Sequence, residues 1–119
     1  MHFQRAPGQA KLIRVGVGRI YDVVVDIRPK SPTFGKWEGV YLDGEKHEQL
    51  FIPVGFAHGF CVVSDEAHVF YKVSTLYDAA EEKTFRFDDP DVAIKWPEAS
   101  PIVSLRDQIA PTFKEAVGR

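Results

Sequence analysis

Four histidines carry most of the acid–base chemistry available to this sequence: His2, His47, His58 and His68. They form no His-x-His or His-Glu-x-x-His pattern, and the single cysteine has no partner, so no local metal site or nucleophile motif is indicated. An imidazole titrates near neutral pH and can accept or donate a proton. The residue types therefore favour acid–base chemistry by His and Tyr, with Lys or Arg to hold an anion. They predict no metal and no cofactor.

His58 lies in the stretch that looks most organised for such chemistry. The apolar run Leu50–Ile52 predicts a strand, and Pro53 ends it because proline cannot donate to a sheet ladder. Gly55 and Gly59 predict a bend with His58 at its corner, between two phenylalanines. A buried imidazole there would be directional and useful for binding or proton transfer. Taken alone, however, His58 favours the structural interpretation, in which it holds a corner.

Length and composition predict one domain spanning residues 1–119. A hydrophobic content of 45% is enough for a core without disulfides. The net charge of −2 and the pI near 6.1 argue against a nucleic-acid partner, whose binding surface would be basic. No leader or membrane-spanning run is visible, and Cys61 is expected to be a small core residue. The expected location is a reducing one, the cytoplasm, without membrane association.

Short runs rich in Val, Ile, Phe and Tyr, separated by Gly and Pro turns, predict a β-sandwich or barrel of about seven strands. The expected strands are 10–17, 20–27, 36–42, 50–52, 60–63, 67–75 and 83–87. The first two are expected to form a hairpin. Residues 1–9 show no clear period, and no helix of ordinary length is predicted. Ser104–Asp107 has capping-box spacing for one helical turn, which Pro111 stops, and the tail after Phe113 is expected to fray.

Two acids stand in phase on the second predicted strand. Asp22 and Asp26 share a face with Val24, so this face carries two carboxylates. Such a face is either solvated or directed into a polar cavity, and the solvated interpretation is favoured.

Eight short motifs follow one another in order along nearly the whole chain. They are His2-Phe3-Gln4-Arg5, Lys11–Val15, Tyr21–Arg28, Ser31–Trp37, Gln49–Phe60, Tyr71-Lys72, Asp88–Pro90 and Ile94–Pro97. Each motif is weak alone, but the ordered set resembles the dTDP-4-dehydrorhamnose 3,5-epimerase family. The resemblance implies an all-β, cupin-type jelly roll, a double antiparallel sheet that is usually a homodimer. It also implies that this chain lacks the family's N-terminal third, including an Arg just before the His of the first motif.

The resemblance implies an activity and a substrate. The family inverts the carbons beside the C4 ketone of a dTDP-4-keto-6-deoxyhexose through an enolate. By motif, His2 matches the general base, Asp107 the carboxylate that orients it, and Tyr71 the acid that reprotonates the opposite face. Lys11 and His58 match groups near the C4 oxygen and the sugar.

The remaining matches concern the nucleotide. Tyr77 matches the aromatic side chain that stacks on thymine. Arg106, Glu82 and Gln49 match residues that contact the nucleotide or its phosphates.

Other interpretations stay open. From the residues alone, His2 could be a disordered end, Asp107 only a helix cap, and Tyr71 a core residue with a satisfied hydroxyl. One competing function is a nucleotide-sugar-binding cupin that lost catalysis with its N-terminal segment. Another is a metal-dependent cupin enzyme, against which the absence of a His-x-His pattern weighs.

Overall fold

Eight strands form two antiparallel sheets in the computed structural model, which describes residues 1–118. The elements are β1 His2–Gln4, β2 Lys11–Val17, β3 Arg19–Asp26, β4 Trp37–Asp43, β5 Gln49–Ile52, β6 Phe56–Val62, β7 His68–Val73, β8 Glu82–Thr84, α1 Leu105–Gln108 and α2 Phe113–Val117. The predicted all-β double sheet with little helix is confirmed. Within residues 1–118, neither helix has the length and apolar character needed to cross a membrane.

The two sheets differ in size and in strand order. The larger has the order β4-β3-β6-β1-β8, and the smaller has the order β5-β2-β7. In the larger sheet, His58 of β6 lies opposite Val24 of β3 on one side and opposite His2 of β1 on the other. Because side chains alternate between faces, these three residues and every second neighbour share the same face. That face is the one on which the candidate site is built.

The predicted hairpin between the first two long strands is wrong. β2 pairs with β5 and β7, whereas β3 pairs with β4 and β6, so the chain changes sheet between Val17 and Arg19. Gly18 makes the crossing with a φ of 82°, and a Cβ atom there would lie 2.0 Å from the carbonyl oxygen of Glu66. Alternation within each strand cannot distinguish a hairpin turn from a crossing between sheets.

Two apolar clusters hold the sheets. One lies between the sheets and comprises Ile13, Val15, Ile20, Leu42 and Ile52. The other lies on the opposite face of the larger sheet, where residues that follow β8 pack against the strands. It comprises Met1, Phe3, Val23, Val25, Ala57, Phe85, Val92 and Phe113. The larger sheet is thus covered on both faces, which makes it the fixed element of the fold.

The two ends of the chain are more ordered than expected. Residues 2–4 form β1, a three-residue strand too short to show a period, which lies between β6 and β8. The prediction that the tail frays after Phe113 is wrong through Gly118. Thr112 and Glu115 form a capping box that starts α2, and Phe113 is buried in the core.

Asp26 is not solvated, contrary to expectation. Its carboxylate is 2% exposed and accepts hydrogen bonds from Arg28, Ser31 and Thr33. The hydrogen bonds from the Arg28 guanidinium are the main reason that the pKa of Asp26 lies far below its usual range, and they outweigh the effect of burial. Asp26 therefore anchors the loop between β3 and β4.

Candidate active site

A cavity of about 1010 Å³ opens between the two sheets and the segment of residues 96–107. Seven of the nine residues predicted for the site line it: His2, Lys11, His58, Tyr71, Tyr77, Glu82 and Asp107. They come from five strands, from the segment after β7 and from α1, so only the fold brings them together. The volume is at the upper end of what small-molecule sites show.

His2 is held by a carboxylate at each ring nitrogen. Its Nε2 lies 2.7 Å from Oδ1 of Asp107, and its Nδ1 lies 3.0 Å from Oε1 of Glu82. The side chain is 30% exposed, so it reaches the cavity while its strand is hydrogen-bonded on both edges. The structure thus does not support the interpretation of His2 as a disordered end.

Asp107 lies on α1, a helix of four residues with no buried side chain. The Ser104 hydroxyl caps this helix and donates to Oδ2 of Asp107 at 3.1 Å, while Oδ1 faces His2. Burial would raise the pKa of Asp107, but the charge and hydrogen bond of His2, together with Ser104, lower it overall. The predicted helical turn is confirmed. The Asp107 carboxylate both contacts His2 and accepts a hydrogen bond from the capping residue Ser104.

Glu82 and Arg106 form the other side of this cluster. Arg106 Nη2 lies 3.2 Å from Oε2 of Glu82, whose other oxygen faces His2. Burial opposes ionisation of Glu82, but its hydrogen bond with His2 and the nearby polar groups of Tyr77 and Arg106 lower its pKa overall, although Oε2 accepts no hydrogen bond within residues 1–118. The Arg106 guanidinium does not line the cavity wall itself, but adjoins it through Glu82.

His58 forms a second histidine–carboxylate pair, deep in the larger sheet. Its Nε2 lies 2.8 Å from Oδ2 of Asp22, and the two side chains are 7% and 0% exposed. The expectation that Asp22 is solvated is therefore wrong. Its Oδ1 has no hydrogen-bond partner among residues 1–118, so this buried carboxylate is held through its other oxygen, by His58.

The expected corner at His58 is also wrong. His58 lies in the middle of β6, and the bend comes earlier, at Gly55, whose φ is 98°. Gly59 serves close packing rather than a bend, because a Cβ atom there would lie 2.7 Å from Sδ of Met1. Glycine spacing alone did not show which of the two residues turns the chain.

Lys11 and Tyr71 occupy the opposite wall. Tyr71 and Val73 share a face of β7, and Lys11 lies opposite Val73, so the side chains of Lys11 and Tyr71 both lie on the face of the smaller sheet that lines the cavity. Burial lowers the pKa of Lys11, and the charges of Glu82 and Asp22 partly oppose this. Tyr71 is 60% exposed, so it is not a core residue.

Gln49 does not join the group. It is two residues from Phe51 on β5, and the neighbouring Ile52 is in the core between the sheets, so Gln49 lies on the outer face of the smaller sheet. Its role as a nucleotide contact remains a prediction.

The cavity is also lined by residues that were not predicted for the site. Phe87 and Trp96 line it, and the Trp96 indole N–H donates to the Phe87 carbonyl at 2.9 Å. Cys61 is only partly buried and lies in the wall, so it is not the core residue that was expected. Trp96 lies in a turn-rich stretch without a strand pattern, and the Ile94–Pro97 motif of the resemblance implied no role for it.

Among residues 1–118, no group of three or more His, Cys, Asp or Glu side chains is arranged to hold a metal ion.

Comparison with known proteins assigns the fold and the family. A family model described as dTDP-4-dehydrorhamnose 3,5-epimerase matches residues 1–115. The chain belongs to this family. It is 47% identical over 117 residues to the dTDP-4-dehydrorhamnose 3,5-epimerase of Shigella flexneri. This alignment covers 98% of the chain and 65% of the relative, so the chain spans just under two thirds of that protein's length.

Solved structures of the epimerase family superimpose closely. A 4-keto-6-deoxy sugar epimerase from the novobiocin biosynthetic gene cluster of Streptomyces spheroides gives a TM-score of 0.93 at 45% identity, over 97% of this chain and 58% of that one. The Legionella pneumophila 3,5-epimerase in complex with dTDP-4-keto-L-rhamnose gives 0.89 at 44% identity, over 93% and 60%. The cupin-type double sheet expected from the resemblance is confirmed.

Proposed function

We propose that this protein is a nucleotide-sugar epimerase that inverts C3, C5 or both in a dTDP-4-keto-6-deoxyhexose. The main support is the His2–Asp107 pair, 2.7 Å between Nε2 and Oδ1, on one wall of a large cavity whose other wall carries Lys11 and Tyr71. The relative from Legionella pneumophila was solved with dTDP-4-keto-L-rhamnose, which supports the substrate class. Because the chain is shorter than its relatives, the activity must be tested on this chain.

The proposed reaction begins with removal of a proton beside the C4 ketone. His2 takes the proton as the C–H bond breaks, and the electron pair moves to the C4 oxygen to give an enolate. Asp107 is proposed to orient the imidazole in the free protein and to supply the counter-charge for its cation, as the carboxylate does in other His–Asp pairs. Positioned acid–base groups typically contribute about 10²–10⁴-fold.

Lys11 and His58 are proposed to stabilise the enolate oxygen. A partly buried ammonium is an effective partner for a developing oxyanion, because less water screens it than at the surface. Lys11 forms no ion pair shorter than 4.0 Å among the described residues, so its ammonium is not committed to a carboxylate. His58 is fixed by Asp22 and cannot turn away.

Inversion requires a proton donor on the far side of the planar enolate. Tyr71 lies on the smaller sheet and His2 on the larger one, so the two line opposite sheets of the cavity. A proton delivered from the Tyr71 hydroxyl to carbon returns the electron pair from the enolate oxygen, restores the ketone and inverts the centre. Tyr77, 65% exposed, is proposed to stack on thymine, and Arg106 and Gln49 to contact the nucleotide.

One observation favours a second candidate, a dTDP-sugar-binding protein without catalysis. Both ring nitrogens of His2 are engaged by carboxylates, so no nitrogen is free to accept a proton in this arrangement. Catalysis requires that one carboxylate moves aside when substrate binds. A binding protein has no such requirement.

Solvent-deuterium exchange separates the two candidates. The purified chain would be incubated with dTDP-4-keto-6-deoxyglucose in D₂O, and deuterium at C3 and C5 followed by NMR. Binding of dTDP would be measured separately by calorimetry. Exchange supports the epimerase, whereas dTDP binding without exchange by folded protein supports the binding protein.

Tyr71→Phe tests the division of roles. It should retain proton removal, seen as deuterium exchange with retained configuration, while formation of the epimer falls by about 10²-fold or more. If exchange and epimerisation fall together, Tyr71 is not the donor on the far face.

A homodimer and a cytoplasmic location are part of this proposal. The outer face of the smaller sheet exposes Phe51 and Phe70, at 64% and 52%, and such a patch is typical of an interaction surface. Light scattering after size-exclusion chromatography would show the expected dimer, and a monomer at all concentrations would remove it.

A further inference from the structure

The contacts of His2 with its two carboxylates are not equivalent. Glu82 belongs to β8, which pairs with β1, and it lies opposite Gln4, two residues from His2 and on the same sheet face. Asp107 belongs to a four-residue helix with no buried side chain. The Glu82 side chain is 15% exposed and that of Asp107 is 29% exposed. One partner of His2 is therefore fixed by the sheet and the other is held only by a small exposed turn.

Arg106 acts on Glu82, the partner of His2 that the sheet holds in place. It lies next to Asp107 in the chain but forms its ion pair with Glu82, 3.2 Å from Oε2. A guanidinium at this distance reduces the negative potential that Glu82 exerts on the His2 ring. Arg106 and His2 thus lie at different oxygens of the same carboxylate, and the positive charge of Arg106 weakens the attraction of that carboxylate for the His2 ring.

We infer that Glu82 is a positioning residue for His2, and that Arg106 sets how strongly Glu82 holds the proton on Nδ1. This inference rests on the proposed function and assigns Glu82 a role in the proton transfer in addition to any contact with nucleotide. With Nδ1 held by the sheet, Nε2 is the nitrogen that becomes free when Asp107 moves. An anionic diphosphate that attracts Arg106 away from Glu82 would strengthen the interaction of Glu82 with the imidazolium formed in the reaction.

The arrangement predicts opposite effects for two variants. Glu82→Gln removes the charge at Nδ1, so the midpoint of the His2 imidazole titration should fall by about half a pH unit or more. Arg106→Gln removes the competing cation, so the same midpoint should rise. The other titratable or charged groups that line the same cavity are Asp107, Lys11, His58, Cys61, Asp65, Tyr71, Tyr77, Glu98 and the residue carrying the amino terminus, Met1, and all are unchanged in both variants.

The measurement is an NMR titration of the His2 ring in the full chain without substrate, with Glu81→Gln as matched control. Glu81 is the neighbouring residue and pairs with Arg5 at 3.8 Å rather than with His2, so its variant should leave the midpoint unchanged. The pH profile of deuterium exchange should move in the same direction as the midpoint in each variant. Because Arg106 is largely exposed, Arg106→Gln should fold even if Glu82→Gln does not, and its upward shift is a test on its own.

Opposite shifts support the inference. Shifts of the same sign, or no shift in either variant with weakened dTDP binding, would overturn it and leave the two residues as nucleotide contacts only. The titration needs no substrate, so it stays informative if no exchange is found. A chain that exchanges deuterium but shows no shifts would retain the proposed function and lose this inference.

Discussion

The two histidine–carboxylate pairs of this protein have similar distances and different surroundings. His58 and Asp22 are 2.8 Å apart and are contributed by two neighbouring strands of a sheet that is covered on both faces. His2 and Asp107 are 2.7 Å apart, but one partner is on a strand and the other on an exposed helix of four residues. The first pair cannot separate without disrupting the sheet, whereas separation of the second requires only that the short helix α1 moves.

This difference supports the roles proposed for the two pairs. A fixed, dry pair suits an electrostatic function, because its dipoles and charges need no rearrangement when charge develops nearby. A pair at the cavity wall with one movable partner suits proton transfer, because the base must be exposed to the substrate and then neutralised again. Both pairs join a histidine to an aspartate, and they differ in whether the aspartate lies on a strand of the covered sheet or on an exposed helix.

The largest expected effect is on activity. Asp107→Asn should lower the deuterium-exchange rate by roughly 10²–10⁴-fold, because the imidazolium loses its counter-charge. Unfolding in denaturant should change by less than about 1 kcal/mol, since the pair is partly solvated. An exchange rate within a few-fold of wild type would show that Asp107 is a cap and no more.

The next effect is on stability and concerns the buried pair. Asp22→Asn should lower the free energy of unfolding by about 3 kcal/mol, because the buried His58 loses its charged partner. The measurement is urea denaturation monitored by tryptophan fluorescence, with Asp107→Asn in parallel. Equal losses in the two variants would contradict the contrast drawn between the pairs.

A smaller effect concerns the way the stability contributed by Asp26, a structural carboxylate, depends on pH. Because the pKa of Asp26 is lowered in the folded state, its stabilisation is present above the ordinary carboxyl pKa near 4 and is lost as pH falls below it. Asp26→Asn should cost about 2 kcal/mol at pH 7 and show a shallower loss of stability between about pH 4 and 2. Parallel acid-denaturation curves for the variant and wild type would contradict this.

The smallest effect compares the two helix caps. Ser104→Ala removes the cap of α1 and should cost less than about 0.5 kcal/mol, because that helix buries nothing. Thr112→Ala removes half of the capping box of α2, which carries the buried Phe113, and should cost about 1 kcal/mol. Thermal denaturation of both variants is sufficient. A larger loss for Ser104→Ala would mean that α1 is more firmly fixed than the account requires.

Local pattern predicted most strands and the turn at Ser104, because β-rich runs and caps are properties of a few adjacent residues. It did not predict the change of sheet at Gly18 or the burial of Asp22 and Asp26, because these depend on which strand lies alongside. The resemblance supplied His2, Asp107 and Glu82 as site residues, but not that both carboxylates contact one ring. Trp96 was missed because a loop residue that lines a cavity follows no period. Phe87 was missed because it was placed in the predicted strand 83–87, whereas β8 ends at Thr84.

The most direct test of the central claim is deuterium exchange by His2→Gln. This variant should still bind dTDP and unfold cooperatively, yet incorporate deuterium beside the C4 ketone at least about 10²-fold more slowly than wild type. His68→Gln, a change at an exposed histidine paired only loosely with Glu66 at 3.8 Å, should exchange at the wild-type rate. Wild-type exchange by folded His2→Gln would contradict the account, because the movable pair would then not be the one that transfers the proton.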